Sequence, residues 1–337
     1  MANAVFSPRD FKAYVIEEAT PGTAPAITAG LHQLDVDSVA FPSLSPNQVT
    51  AVRSRGGRVL HADDFFQDNE IRAIEVSLSG TFRADKGIQM LLQSVTAMDL
   101  DDSAIADITM ATAPTGKTGK YGVAQGNATF SLVLASPDVV DGYNIIMKGC
   151  QCTSFSINAD MTADGGLYKF EATISSGQNP ETDNTDVPST STGGSDIGGA
   201  DSLITLTTLA SSQIFAVASP VISSFGFTIE SPAIYTGFSS SGYHSFARGN
   251  EFTVSANATV KYDLATRGLY NSFNTQTADL ASNLFVLTQA PAGDCSISLP
   301  AGVLTDVTFN EGDAMMLDVA MQGVTNGSDA ILTINLT

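Results

Sequence analysis

Tryptophan is absent from this sequence, and its 337 residues include only 3 histidines and 3 cysteines. The cysteines, two in Cys150-Gln151-Cys152 and the third at Cys295, build neither a disulfide framework nor a four-ligand zinc site. None of His32, His61 and His244 stands at ligand spacing to that pair, so the thiols read as buried or free, and no metal or cofactor is expected. Cations are scarce as well. Lys and Arg number 15 against 35 Asp and Glu, a formal charge of -20, which excludes a clamp that neutralises phosphates. No apolar run approaches the roughly 18 residues that would cross a bilayer. The start, Met-Ala-Asn-Ala-Val-Phe-Ser-Pro-Arg, has neither a basic segment nor an apolar one of the kind that directs secretion. The expectation is a soluble protein made in a cytoplasm, with no membrane partner.

Recognisable chemistry is missing too. Ala111-Thr112-Ala113-Pro114-Thr115-Gly116-Lys117-Thr118 imitates the end of a phosphate-binding loop, but alanine stands where the first glycine belongs and no buried strand leads into it. Asp99, Asp101 and Asp102 lack the glycine and the bidentate glutamate of a calcium loop. The sequons at Asn127, Asn257 and Asn326 need a secretory route that the start of the chain does not offer. With no nucleophile and base in a defensible order, no catalytic residue is assigned and the protein is not expected to be an enzyme.

What the sequence does contain is β texture. Short runs rich in Val, Ile, Thr and Phe, such as 74–82, 130–134, 153–157, 167–174, 225–229, 252–260 and 315–321, are separated by Gly, Asn, Asp and Ser. One segment departs from this: Ile88, Leu91, Leu92 and Val95 follow Asp85 at helical spacing, with Asp85 placed as an N-cap.

The pattern recurs. Residues 74–95 align without gaps on 252–273, an offset of 178 that sets Asp263 opposite Asp85 as the second helix cap. A terminal hairpin follows in both places, 153–157 then 167–174 and 305–309 then 315–321, with about 26 extra residues in the first, within 97–128. Between Gln178 and Ser202 the chain has no aromatic residue, no Lys and no Arg, the composition of a linker. Residues 1–178 hold 12 basic and 20 acidic residues, whereas 179–337 hold 3 and 15. The sequence therefore reads as mainly β, with two tandem β-sandwich or barrel-like domains at 1–178 and 203–337, each with one short helix, joined by a polar linker at 179–202.

The opening Phe11-Lys12-Ala13-Tyr14-Val15-Ile16-Glu17-Glu18-Ala19-Thr20-Pro21-Gly22, the long loop at 45–70 and the closing strand-turn-strand of each repeat resemble the tail tube proteins of long-tailed bacteriophages. The resemblance covers most of the chain and lies in the order of elements. It implies a structural virion protein of β-sandwich-like units that polymerises into stacked rings, a conduit for DNA that passes without specific binding. If one ring holds six domains, two per chain give a trimer with pseudo-six-fold symmetry. The implied partners are further copies of the chain, tape measure, terminator and tail tip proteins; the implied location is the virion tail, and the host cytoplasm before assembly. Arg53, Arg55 and Arg58 surround Gly56-Gly57 as the densest cationic cluster, read either as a solvated surface loop or as a contact between rings. The alternative function is an all-β surface adhesion or capsid or tail decoration module.

Overall fold

The computed structural model describes residues 7–27, 30–43, 47–50, 65–68, 74–96, 100, 108–110, 129–136, 143–183, 203–215, 217–238, 244–248, 252–274, 281–289, 295–312, 314–324 and 331–336. Arg53, Arg55 and Arg58 lie outside them, as does most of 97–128.

The protein is mainly β, with two helices. Its first run of elements is β1 (Lys12–Glu17), β2 (His32–Leu34), β3 (Val36–Val39), β4 (Asn47–Thr50), β5 (Phe65–Asp68), β6 (Ile74–Thr81) and α1 (Lys86–Val95). Then come β7 (Ile108–Met110), β8 (Phe130–Ala135), β9 (Asn144–Asp160), β10 (Lys169–Ser176) and β11 (Glu181–Asp183). The second run is β12 (Leu209–Ile214), β13 (Val217–Ala218), β14 (Ile222–Glu230), β15 (Ala233–Phe238), β16 (His244–Arg248), β17 (Thr253–Lys261) and α2 (Arg267–Asn274). It closes with β18 (Ala281–Gln289), β19 (Ser296–Glu311), β20 (Met315–Gly323) and β21 (Leu332–Asn335).

Apart from β7, each strand of the first run has a counterpart in the second with the same pairing partners. β8, β9, β10 and β11 pair as β18, β19, β20 and β21 do. The backbone confirms the correspondence at one joint: Phe82 N–H donates to the Tyr168 carbonyl at 2.9 Å, and Tyr262 N–H donates to the Met315 carbonyl at 3.1 Å. This sets β6 on β17 at an offset of 180 rather than 178. A slip of two residues keeps every side chain on its own face, so alternation alone cannot detect it.

Eight antiparallel strands form one continuous layer in the order β3, β6, β10, β9, β14, β17, β20, β19. The first halves of β9 and β19 belong to the opposite layer, where β9 meets β8 and β11 and β19 meets β18 and β21. Alternation decides the faces. In β6, Ile74, Val76 and Leu78 are buried while Glu75 and Ser77 are exposed, as expected of strands with one wet face. The core runs unbroken across both runs of strands. At the junction, Phe82, Tyr168, Phe225 and Phe285 follow one another with ring centroids 6.4, 4.9 and 6.2 Å apart.

Three local features differ from the sequence reading. Glu181–Asp183, inside the polar stretch taken as linker, pairs with Asn144–Ile146, because an edge strand needs backbone partners rather than apolar side chains; the rest of that stretch, 184–202, lies outside the described residues. Ile108–Met110, from the extra segment, pairs with Leu332–Ile334 and so ties the first run to the last strand of the second. The third concerns the helices. Asp85 caps α1 by accepting from Ile88 N–H at 2.9 Å, and Ile88, Leu91, Leu92 and Val95 are all buried. Asp263 instead closes a turn before α2, accepting from Ala265 N–H at 2.9 Å and Thr266 N–H at 3.1 Å, with the helix starting only at Arg267. Of its apolar face Thr266 and Leu269 are buried, while Tyr270 and Phe273 are each 37% exposed.

The two carboxyls are shifted in opposite directions. Burial pushes Asp85 up to about 6, against the opposing pull of its bond from Ile88 N–H and of Arg83. Asp263 is held below the usual carboxylate range chiefly by the Thr266 N–H bond.

Candidate assembly edges

The eight-stranded layer has one face that packs on the core and one that does not. Along the second face run Ser77 and Ser79, Glu171 and Thr173, Ser154, Ser156 and Asn158, Thr228, Ser255, Asn257 and Thr259, Thr308 and Asn310, each partly or fully exposed. Among the described residues its acidic and basic side chains include Glu75, Asp160, Glu171, Glu230, Asp306 and Asp318 against Lys169 and Lys261. Lys169 is already engaged by Asp37 at 2.6 Å. The wall is short-chained, hydroxylated and acidic. Gly226 lies at its centre between Asn158 and Asn257, whose side-chain atoms a Cβ would meet at 2.9 and 2.8 Å.

At the middle of this layer β9 receives β14, with Ile157 opposite Phe227 and Asn158 opposite Gly226. Ile157 is fully buried there. Its counterpart Phe309 on β19 pairs with Leu317 of β20 on one side, has no strand on the other among the described residues, and is 36% exposed, resting on Tyr262 and Tyr270 at 5.3 and 4.7 Å. At the other end of the layer β3 pairs only with β6 among the described residues, and the chain continues along that edge through Ala40, whose N–H donates to Ser77. The register shift in β3 between Val36 and Ser38 matches that in β14 between Ile222 and Ser224. Beside β3 lies an open groove of about 550 Å³ lined by Pro8, Arg9, Phe11 and Val36–Val39. Phe41, the counterpart of Phe227, is half-buried and packs edge-on against Phe11 at 5.1 Å.

Both edges thus have an internal template, β9 against β14. The sequence could not show it, because which strands sit at the ends of a sheet depends on pairings between residues far apart in the chain, such as Ile74 with Ser176 and Ser154 with Glu230. The cysteines lie elsewhere: Cys150, Cys152 and Cys295 are buried and none is in a disulfide. Among the described residues no group of three or more His, Cys, Asp and Glu could hold a metal ion.

The subunit is mainly β, with one polar sheet face, and among the described residues the strands at the two ends of its layer, β3 and the second half of β19, each pair on one side only. The family model of the phage tail tube proteins matches residues 11–323, and the chain belongs to that family. It is a structural protein of a phage tail tube. No curated protein matches the sequence. Two solved structures show faint similarity. One is the virion of a native gene transfer agent particle, at 13% identity and TM-score 0.22, covering 36% of this chain and 82% of that one. The other is the tail of an empty particle of that kind, refined helically with C6 symmetry, at 12% identity and TM-score 0.23, covering 38% and 85%. Scores this low carry no argument about fold or assembly.

Proposed function

We propose that the chain carries two tail-tube domains, 1–178 extended by β11 at 181–183 and 203–337, joined by the rest of 179–202, and that three chains close into each ring with pseudo-six-fold symmetry. The observation that carries this reading is the β9–β14 junction. The first four strands of the layer already receive the second four edge to edge, and the ends left over, β3 and β19, are the counterparts of the two strands that meet in the middle. The same contact repeated between chains places Phe41 of one chain opposite Phe309 of the next, and Ala40 opposite Asn310. Since a right-handed twist accumulates across joined strands, repeating one heterologous contact gives a closed barrel, which leaves no open edge.

The polar acidic face then lines the lumen. With six acidic residues against two lysines it offers DNA little to bind, so a polyanion slides past without counterion release to hold it. Rings stack into the tube, with Arg53, Arg55 and Arg58 reaching acidic surface on the adjacent ring through charge-assisted hydrogen bonds. Tape measure, terminator and tail tip proteins are the further partners, and the subunit waits in the host cytoplasm before it joins the virion tail.

Symmetry averaging of electron micrographs of assembled tubes tests the ring. Three chains per ring are expected, and six would show that only one domain of each chain builds the inner wall. Changing Arg53, Arg55 and Arg58 together to Ser is expected to shorten the tubes and make them fall apart at lower salt; unchanged length and salt response would remove the arginines from the stacking contact.

A further inference from the structure

One tyrosine of the first run of strands is built into the second. Tyr168, just before β10, is fully buried, and its N–H donates to the Ile204 carbonyl at 2.9 Å. Its ring meets Phe225 edge-on with centroids 4.9 Å apart, so the row Phe82, Tyr168, Phe225, Phe285 crosses the β9–β14 junction between its second and third members. Burial pushes the phenol up from its ordinary range, so it stays protonated and donates. The acceptor is Gln289 Oε1 at the end of β18. Gln289 Nε2 then faces three acceptors, the Thr205 carbonyl at 3.0 Å, the Thr208 carbonyl at 3.2 Å and Thr208 Oγ1 at 2.9 Å. Gln289 is itself buried. The joint within the chain is held by a buried side-chain clasp as well as by strand pairing.

At the joint between chains the same positions are filled differently. Met315 takes the place of Tyr168, since Tyr262 N–H bonds its carbonyl as Phe82 N–H bonds that of Tyr168, and it is 50% exposed. Leu134 opposite Ile145 corresponds to Leu287 opposite Ile297, so Ser136 takes the place of Gln289 and Leu132 that of Phe285. The shared register shift of β3 and β14 puts Val39 in the place of Phe225. The row across this joint therefore reads Tyr262 and Met315 of one chain, then Val39 and Leu132 of the next. A methionine has no proton to donate, and a serine side chain ends well short of where a glutamine amide reaches.

We infer that Tyr168 locks the first joint as the chain folds, and that Met315 in its place leaves the second joint, β19 on β3 of the next chain, reversible, so that free chains stay apart until the joints of a ring close together. The inference rests on the ring reading, since it needs β3 and β19 of two chains side by side. Without the buried hydroxyl-to-amide bond and the aromatic row, a single joint between chains is weaker by about tenfold or more.

Met315→Tyr with Ser136→Gln rebuilds the clasp between chains and is expected to lower the concentration needed for tube formation about tenfold, while Met315→Phe with Ser136→Gln, which adds a ring without a hydroxyl, stays within about threefold of the parent. Tyr168→Phe is expected to raise the unfolding constant of the free subunit about tenfold, because Gln289 is left buried without its donor. Ala40→Cys with Asn310→Cys, oxidised mildly in assembled tubes, reports on the ring itself through a disulfide between chains, the native thiols being buried. If that disulfide forms and the Met315→Tyr pair assembles no better than the parent or the Met315→Phe pair, the lock is overturned and the ring stands. A Tyr168→Phe subunit as stable as the parent would also overturn the lock. Absence of the 40–310 disulfide would sink lock and ring together.

Discussion

Phe309→Lys is expected to leave a folded subunit that makes no tubes. In the free chain this side chain rests on Tyr262 and Tyr270 and is 36% exposed, so a lysine there keeps its stem on the aromatics and its ammonium in water. The loss to the subunit is about 1 kcal/mol, the worth of one aromatic contact. Assembly feels it differently. At each joint the ring reading buries position 309 against Phe41 of the next chain, as Ile157 is buried against Phe227 within the chain. An unpaired ammonium there costs several kcal/mol, and three joints per ring multiply the effect. Sedimentation and electron microscopy of the variant provide the check, with Phe309→Leu as the version that still assembles. Normal tubes from Phe309→Lys would mean that β19 is not a joining edge.

The same strand shows where sequence reading stopped. Elements with a strong period were legible: the α1 face Ile88, Leu91, Leu92 and Val95 is buried in full, and β6 alternates as its residues require. The repeat was visible through shared order, yet its register was off by two, since a period of two is blind to that slip. α2 has the right spacing, but spacing does not say whether a face is covered, and Tyr270 and Phe273 stay exposed. β7 and β11 were missed because their pairing is made by backbone groups against distant partners, with no apolar run to announce them. The edges, and with them the assembly site, follow from long-range pairing and could be found only in three dimensions.

Glu18 is the other residue that composition misplaces, and its removal is expected to be the most damaging single change to the subunit. Acidic residues belong on the surface by default, yet this one is fully buried at the end of β1. Its Oε1 accepts from Ser131 Oγ at 2.6 Å and Gly149 N–H at 2.8 Å, and its Oε2 from Gly22 N–H at 2.7 Å and Thr129 Oγ1 at 2.9 Å. One carboxylate thereby ties the 18–22 turn, the start of β8 and the bend of β9, where Gly149 sits at φ 62° as the strand passes from one layer to the other. Glu18→Ala strands these donors around a cavity and is expected to cost about 3 kcal/mol or more, read by chemical denaturation. Glu18→Gln separates hydrogen bonding from volume. The hydroxyls of Thr129 and Ser131 can turn to suit an amide, but a backbone N–H faces each oxygen, so either orientation of the amide sets its NH2 against Gly22 or Gly149. Glutamine should therefore recover little of the loss although it fills the space. A Glu18→Gln variant as stable as the parent would show that the four donors do not need a carboxylate. Because the β9 bend fixes how the polar layer meets the layer behind it, a damaged Glu18 site should also lower tube yield at temperatures where the subunit is still folded.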